Sequence, residues 1–142
     1  MTPREISFVS GDAACSAWHF AAGVMPERPV VVMAHGFGGT KDSGLEPFAQ
    51  RFVAAGVDVL AFDYRGFGAS EGTPRQSLSV RRQIDDYHAA VGAARQLDGV
   101  DPNRIALWGA SFSGGHVLRA AAERADISAV IALTPLSSGA AV

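Results

Sequence analysis

Short apolar runs alternate with longer amphipathic segments along the chain. Residues 6–10 alternate apolar and polar side chains, which predicts a half-exposed strand, and residues 15–21 are predicted to return beside it as an antiparallel hairpin. Continuous apolar runs follow, a pattern that is typical of strands covered on both faces. These runs lie at residues 30–34, 57–62, 105–108 and 127–134.

The segments between the apolar runs carry apolar residues at helical spacing. Residues 42–55 and 78–97 each predict a helix with one apolar stripe, and a third helix is predicted directly after Ser111. Strands that alternate with helices predict right-handed crossovers and a mostly parallel sheet. We therefore expect an α/β fold with about six strands, an antiparallel N-terminal hairpin and three major helices on both faces of the sheet, folded as a single domain over residues 1–142.

The composition excludes several classes of partner. Hydrophobic residues make up 48% of the chain and the net charge is −2 without a basic run, so we expect a globular domain with no nucleic-acid partner. The single cysteine, Cys15, allows no internal disulfide and favours a reducing compartment, which predicts a cytoplasmic location. No apolar run approaches ~18 residues and no cysteine–histidine cluster has metal-ligand spacing, so neither a membrane span nor a bound metal or other cofactor is expected.

One predicted strand-to-helix turn carries a serine between small residues. The turn reads Gly109-Ala110-Ser111-Phe112-Ser113, with Ser111 at its apex and Ser113 where the common form of such a turn has glycine. A serine on a sharp turn of this kind is held out of the sheet as a nucleophile, next to the N–H group of the following residue. The alternative is that Ser111 only caps the helix that follows it.

Two further loops follow predicted strands at the same edge of the sheet. A glycine-rich turn at residues 35–39 follows residues 30–34, and a loop at residues 63–70 follows residues 57–62. In an open α/β sheet, ligands bind at the edge formed by the carboxyl ends of the strands. A phosphate site is less favoured, because no Gly-Lys-Ser/Thr ending completes the glycine-rich turn.

Together, the three loops resemble those of the α/β-hydrolases, and the nearest likeness is to dienelactone hydrolases and the Xaa-Pro dipeptidyl-peptidase-like group of serine hydrolases. In chain order, the motifs are His35-Gly36-Phe37-Gly38, Asp63-Tyr64-Arg65-Gly66-Phe67-Gly68-Ala69-Ser70 and Gly109-Ala110-Ser111-Phe112-Ser113-Gly114-Gly115. The resemblance implies that Ser111 attacks the carbonyl carbon of a small-molecule ester, thioester or amide. It also implies that the backbone N–H groups of Phe37 and Phe112 form the oxyanion hole.

The residues that would complete a catalytic triad are missing from this pattern. The resemblance gives His35, Gly36 and Gly109 supporting roles in the two turns, and it does not make His35 the general base. In the family, an acidic residue and then a histidine follow the nucleophile in the chain. After Ser111 the only histidine is His116, which lies on the same predicted helix and is poorly placed to reach the serine, and the last acidic residue precedes the final predicted strand.

Two hypotheses therefore remain open. In the first, the chain is the N-terminal portion of a serine hydrolase core without the last strands, the lid and the C-terminal helix, and the base and acid come from elsewhere. In the second, it is a noncatalytic module derived from an α/β-hydrolase that binds a ligand or partner or self-associates. In both, the apolar run from Ile127 to Leu133 becomes an exposed edge, so we expect a homo-oligomer or a complementing C-terminal chain to cover it.

Overall fold

Six strands and three helices make up the residues that the computed structural model describes, which are residues 2–136. The elements are β1 (Arg4–Ser10), β2 (Ala13–Phe20), β3 (Arg28–Ala34), α1 (Glu46–Ala54), β4 (Asp58–Phe62), α2 (Val80–Ala94), β5 (Val100–Ala110), α3 (Phe112–Ala122) and β6 (Ala129–Leu133). The end of the loop that was predicted from Pro135 onward lies outside the described residues.

The strands form one mixed sheet in the order β1-β2-β4-β3-β5-β6. β1 and β2 pair antiparallel as the predicted hairpin, and β2 also pairs antiparallel with β4. β3 lies between β4 and β5 and is parallel to both, and β6 extends the sheet parallel to β5. The predicted α/β class, with a mostly parallel sheet, an antiparallel hairpin and helices on both faces, is confirmed.

The hydrophobic core lies in two layers, one on each face of the sheet. Val30 and Val32 are buried in the layer beneath α2 and α3, whereas Val31 and Met33 are buried in the layer beneath α1. Successive residues of β3 therefore face opposite layers, as the geometry of a strand requires. Because both faces are covered, the strand is apolar throughout, which is the reason for the continuous run in the sequence.

The starts of α1 and β5 differ most from the sequence prediction, and each difference has a structural reason. α1 begins at Glu46 rather than near residue 42, and Pro47 lies in its first turn, where the missing N–H of proline costs no helical hydrogen bond. β5 begins at Val100 rather than at residue 105, because Val100 pairs with Arg28 at the start of β3. The pairing of Val100 with Arg28 could not be predicted from helical and strand periodicity alone.

A buried ion pair joins the amino ends of β3 and β4. Arg28 Nε donates to Asp58 Oδ1 over 2.7 Å, and His19 Nε2 lies 2.9 Å from Asp58 Oδ2. The N–H group of Ala22 also donates to Asp58 Oδ1. Burial alone would raise the pKa of Asp58, but the hydrogen bonds from Arg28, Ala22 and His19 outweigh burial and lower the pKa of this carboxyl. The pair therefore remains charged inside the protein and holds the two strands together at this end.

Candidate active site

Ser111 lies at the turn from β5 into α3 in a conformation that residues other than glycine seldom adopt. Its φ is 54° and its ψ is −112°. The exposed side chain forms no capping hydrogen bond with α3, so the helix-capping alternative has no bond to support it. The main chain is held on both sides, because Ser111 N–H donates to Leu133 O over 2.8 Å and Ser111 O accepts from Leu136 N–H over 2.9 Å. The turn thus presents the hydroxyl group at a fixed point on the carboxyl edge of the sheet.

The positions two residues before and after Ser111 explain how the turn fits. A Cβ atom at Gly109 would collide with Ser113 O, so this position requires glycine. Ser113 is fully buried, and its Oγ accepts from Ala110 N–H over 2.8 Å. The same Oγ lies 3.0 Å from Ala110 O and 3.3 Å from Ala34 O, either of which can accept its hydrogen. Ser113 therefore replaces the usual glycine without disturbing the turn, and its hydroxyl stabilises the turn by hydrogen bonds.

The loop between β3 and α1 approaches the Ser111 turn at Gly36. A Cβ atom at Gly36 would lie 3.0 Å from Ala110 O and 3.8 Å from both Phe112 N and Ser111 Cβ. The Phe37 ring is 72% exposed and contacts the Phe112 ring edge-on, with 5.7 Å between their centroids. Phe112 is the first residue of α3, so its N–H group has no acceptor within the helix. The structure thus brings Phe37 and Phe112 together beside Ser111.

Both ring nitrogens of His35 bind within its own loop. Nδ1 accepts from Gly36 N–H over 2.8 Å, and Nε2 donates to Ser43 O over 2.7 Å. A Cβ atom at Gly39 would collide with the imidazole ring, so the absence of a side chain there lets the loop fold over His35. These bonds close the loop that carries Gly36 and Phe37, and they leave neither nitrogen of His35 available as a base.

His116 joins α3 to α2 and does not serve Ser111. It is buried, and its Nε2 donates to Gln83 Oε1 over 2.8 Å. Its ring contacts the Phe112 ring at 4.5 Å between centroids. Burial lowers the pKa of His116 to about 4, because the protonated imidazole would lose its hydration. His116 is therefore neutral at pH 7, and its Nε2 atom is hydrogen-bonded to Gln83.

The loop after β4 is attached to its neighbours through two carboxylates. Asp63 Oδ2 accepts from Lys41 Nζ over 2.9 Å and from Ala69 N–H over 3.0 Å, and Asp63 Oδ1 accepts from Lys41 N–H over 2.6 Å. Arg65 N–H donates to Asp86 Oδ2 over 3.0 Å, and Arg65 Nε donates to Asp86 Oδ1 over 2.5 Å. The guanidinium group of Arg65 is thus bound to α2 and connects elements of the fold.

Two partners of the site residues were not predicted from the sequence. Gln83 binds His116, and Lys41 binds Asp63. Lys41 is the only lysine among the chain's twelve lysine and arginine residues, and this was the one sequence signal that could have singled it out. Nothing in the local sequence indicates Gln83, because its partner is fixed by how α2 packs on α3.

Within residues 2–136, every histidine is bound away from Ser111. The hydrogen-bond partners of His19, His35, His88 and His116 are, in that order, Asp58, Ser43, Glu123 and Gln83. In the same part of the chain, no three His, Cys, Asp or Glu side chains are grouped so that they could hold a metal ion. None of the three helices described is long and apolar enough to span a bilayer.

Comparisons with known proteins relate this geometry to a family. The family model described as serine aminopeptidase, S33, matches residues 25–141. The quorum-quenching protein AidA of Acinetobacter baumannii is 48% identical to the chain, over 96% of the chain and 45% of AidA. The thiohydrolase aneE of Aspergillus aculeatus is 43% identical, over 76% of the chain and 34% of aneE.

A solved structure has the same fold. The crystal structure of the α/β hydrolase GrgF from Penicillium sp. sh18 matches the chain with a TM-score of 0.88 and 32% identity, over 96% of the chain and 47% of GrgF. The chain spans less than half of the length of AidA, aneE and GrgF.

We expect His116 to make the protein less stable as the pH falls. The pKa of His116 is about 4 in the folded protein and 6.5 in its ordinary state. Between these two pH values, His116 is protonated in the unfolded chain but stays neutral in the folded protein. The contribution of neutral His116 to the free energy of unfolding is fully present above pH 6.5 and is lost as the pH falls to about 4. In His116→Gln this part of the pH dependence should disappear.

The measurement is the urea midpoint of the parent and of His116→Gln at a series of pH values between 7 and 4, the interval set by the folded and ordinary pKa values of about 4 and 6.5. Leu118→Gln, which changes an exposed side chain without a titratable group on the same helix, is the control and should keep the parent's dependence. Equal pH dependence in the parent and in His116→Gln would contradict the assignment of His116 as a buried neutral residue.

Proposed function

Because the chain belongs to the serine aminopeptidase S33 family of α/β-hydrolases, we propose that it carries the nucleophile and the oxyanion hole of a serine hydrolase. One observation carries the proposal. Ser111 has a positive φ at the point where Gly36 approaches the N–H group of Phe112. A conformation of this kind costs about 1–3 kcal/mol and persists where the surrounding structure enforces it, often at functional sites.

In the proposed reaction, Ser111 Oγ forms a bond to an acyl carbonyl carbon and the carbonyl oxygen becomes negatively charged. The N–H groups of Phe37 and Phe112 donate to that oxygen, and each such donor contributes about 10²–10³ in rate. The serine proton passes to a base, and the bond between carbon and the leaving oxygen, sulfur or nitrogen breaks as that atom takes up a proton. The acyl group remains on Ser111 as an ester until water attacks it at the same oxyanion hole.

We propose that the base and the acid lie outside residues 2–136. His35 and His116 are each bound elsewhere, and in α/β-hydrolases the acid and the base follow the nucleophile along the chain. AidA, aneE and GrgF are all more than twice as long as the part that this chain matches, which is consistent with further functional segments. In this proposal, another segment of the polypeptide or a second polypeptide completes the site.

The proposed substrate is a small molecule with an ester, thioester or amide carbonyl. The names thiohydrolase for aneE and polyketide transferase for grgF favour acyl esters and thioesters, and the S33 family name includes aminopeptidases. The Phe37 and Phe112 rings lie beside the proposed oxyanion donors, so an apolar acyl group would contact them. This contact favours substrates whose carbonyl carries a neutral, apolar neighbour.

The alternative is a noncatalytic module that binds a ligand or a partner. It is favoured by one observation, which is that the four histidines within residues 2–136 all bind groups other than Ser111. Acylation of Ser111 distinguishes the two proposals, because only a hydrolase needs an oxyanion hole that assists attack by this serine.

We also keep the cytoplasmic location as a proposal, since Cys15 is buried as a free thiol.

We propose that the outer edge of β6 pairs with an additional strand. β6 is the last strand in the sheet order, and Leu133 at its end is 37% exposed. An apolar groove of about 260 Å³ lies next to it on the α1 face, bordered by Val31, Phe52 and Ile131. We propose that the edge of β6 and this groove are covered by a further segment. That segment corresponds to the part of the longer relatives that the chain does not match. In the isolated chain, a second copy takes its place.

The test of the nucleophile is acetylation of the purified chain by p-nitrophenyl acetate. We expect Ser111 to gain one acetyl group, and oxyanion-hole binding without a complete triad to give about 10³–10⁴-fold over the reaction in water, with slow release of the acetyl group. Intact-mass spectrometry and peptide mapping locate the acetyl group.

Ser111→Ala should lose this labelling, and Ser77→Ala, which changes an exposed serine in another loop, should keep it. Equal p-nitrophenol release by the parent and Ser111→Ala at the background rate would exclude the hydrolase proposal for this chain and leave the binding module.

The test of the β6 edge is sedimentation velocity of the purified chain at micromolar concentration. We expect a dimer or a larger assembly, and Leu133→Lys should shift it towards the monomer because a charge on the strand disfavours edge pairing. Leu118→Lys, at a position on α3 that is 45% exposed, is the matched control and should leave the assembly unchanged. A monomeric parent chain would show the edge proposal to be wrong.

A further inference from the structure

A buried ion pair attaches the loop that carries Phe37 to the end of β4. Lys41 Nζ donates to Asp63 Oδ2 over 2.9 Å, and Lys41 N–H donates to Asp63 Oδ1 over 2.6 Å. Both side chains are buried, with 5% of Lys41 and 2% of Asp63 exposed. The Lys41 ammonium group also lies 5.0 Å from the centre of the Trp18 ring, so an aromatic face contacts the cation on another side.

The surroundings of Asp63 are built closely around its carboxylate. Ala69 N–H donates to Asp63 Oδ2 over 3.0 Å, and Ser70 Oγ donates to Asp63 O over 2.6 Å. A Cβ atom at Gly68, whose φ is 54°, would collide with the carboxylate. Asp63 itself follows the last residue of β4 directly, so its position is set by the sheet. The carboxylate is therefore a fixed point to which Lys41 is attached.

Lys41 lies in the same loop as Phe37, four positions further along the chain. Within the loop, His35 Nε2 donates to Ser43 O and Gly39 N–H donates to Gly36 O, and these bonds close the loop onto itself but do not connect it to β4. The Lys41–Asp63 pair supplies that connection. Without it, the segment between β3 and α1 would keep its internal shape but could move relative to the Ser111 turn.

We propose that Lys41 and Asp63 are positioning residues that hold the N–H group of Phe37 in the oxyanion hole. The inference rests on the proposed function, because it assigns a task to residues outside the proposed nucleophile and donors. A buried ion pair is in general weak evidence for stability, since the loss of hydration offsets the attraction between the charges. The placement of this pair, between the loop of Phe37 and the carboxyl edge of the sheet, points to positioning.

The chain contains a matched control for this proposal. Arg28 and Asp58 form another buried ion pair, which joins β3 and β4 at their amino ends, whereas Lys41 and Asp63 lie in the loops that follow these two strands. Asp58 also accepts from a cation and from a main-chain N–H group, as Asp63 does. A purely structural role predicts similar effects from removing either pair. A positioning role predicts that only the loss of Lys41–Asp63 affects Ser111.

The experiment compares Lys41→Met/Asp63→Ala with Arg28→Met/Asp58→Ala in the full 142-residue chain. Each double variant removes both charges, so neither leaves an unpaired buried ion. Two quantities are measured on folded protein, with folding checked by circular dichroism. The first is the rate at which p-nitrophenyl acetate acetylates Ser111, and the second is amide hydrogen exchange at residues 36–39.

We expect Lys41→Met/Asp63→Ala to acetylate Ser111 about 10²-fold more slowly than the parent, the loss that follows from one misplaced oxyanion donor. Exchange at residues 36–39 should become at least about tenfold faster in this variant. Arg28→Met/Asp58→Ala should leave both rates close to those of the parent. If the first variant does not fold, Lys41→Met alone, which keeps the main-chain bond to Asp63, should cause a smaller loss in the same direction.

Three results would overturn the proposal. The first is an unchanged acetylation rate in folded Lys41→Met/Asp63→Ala or Lys41→Met. The second is an equal loss of rate in the Arg28→Met/Asp58→Ala control. The third is unchanged exchange at residues 36–39, and this result counts even if Ser111 of the parent is never acetylated. Absence of acetylation in the parent overturns the proposed function itself, so the two failures are distinguishable.

Discussion

The backbone of Ser111 is the constraint on which the rest of the site depends. A residue with a side chain at φ 54° is strained, and the surrounding structure must hold it there. The hydrogen bond from Ser111 N–H to Leu133 O attaches the turn to the end of β6, and Gly109 leaves room for the first turn of α3. The sheet therefore has to include β6, and the helix has to start at once, before the serine can be presented in this way.

The same edge of the sheet determines what surrounds the serine. β3 lies between β4 and β5 and runs parallel to both, so the loops that leave these three strands meet at one place. Beneath them, the hydroxyl of Ser113 and the carboxylate of Asp63 are hydrogen-bonded within the protein. What is left facing outwards is the Ser111 hydroxyl with Phe37 and Phe112 beside it. The proposed attack by Ser111 follows from that arrangement. The proposal that the base lies outside the described residues follows from the hydrogen bonds that His35 and His116 form with other groups.

The sequence predicted the parts of this structure that depend on local patterns. The hairpin and the order of helices and strands were predictable from the spacing of apolar residues. The parallel strands were predictable because burial of both faces requires apolar residues at successive positions. The Ser111 turn was predictable because its sterics restrict Gly109. The Lys41–Asp63 bond was not, since residues 22 positions apart meet only after β3 and β4 pair. The role of Ser113 was also not predictable, because its hydroxyl binds Ala110 N–H only once the turn has formed.

The most direct test of the central claim is a crystal structure of the chain with a phosphonate bound covalently to Ser111. A phosphonate places a negatively charged oxygen where the oxyanion of the proposed reaction would lie. We expect this oxygen to lie about 2.7–3.1 Å from the backbone nitrogens of both Phe37 and Phe112. A phosphonate whose oxygen points into solvent, or binds to neither nitrogen, would contradict the claim that the Ser111 turn and the loop of Phe37 together form an oxyanion hole.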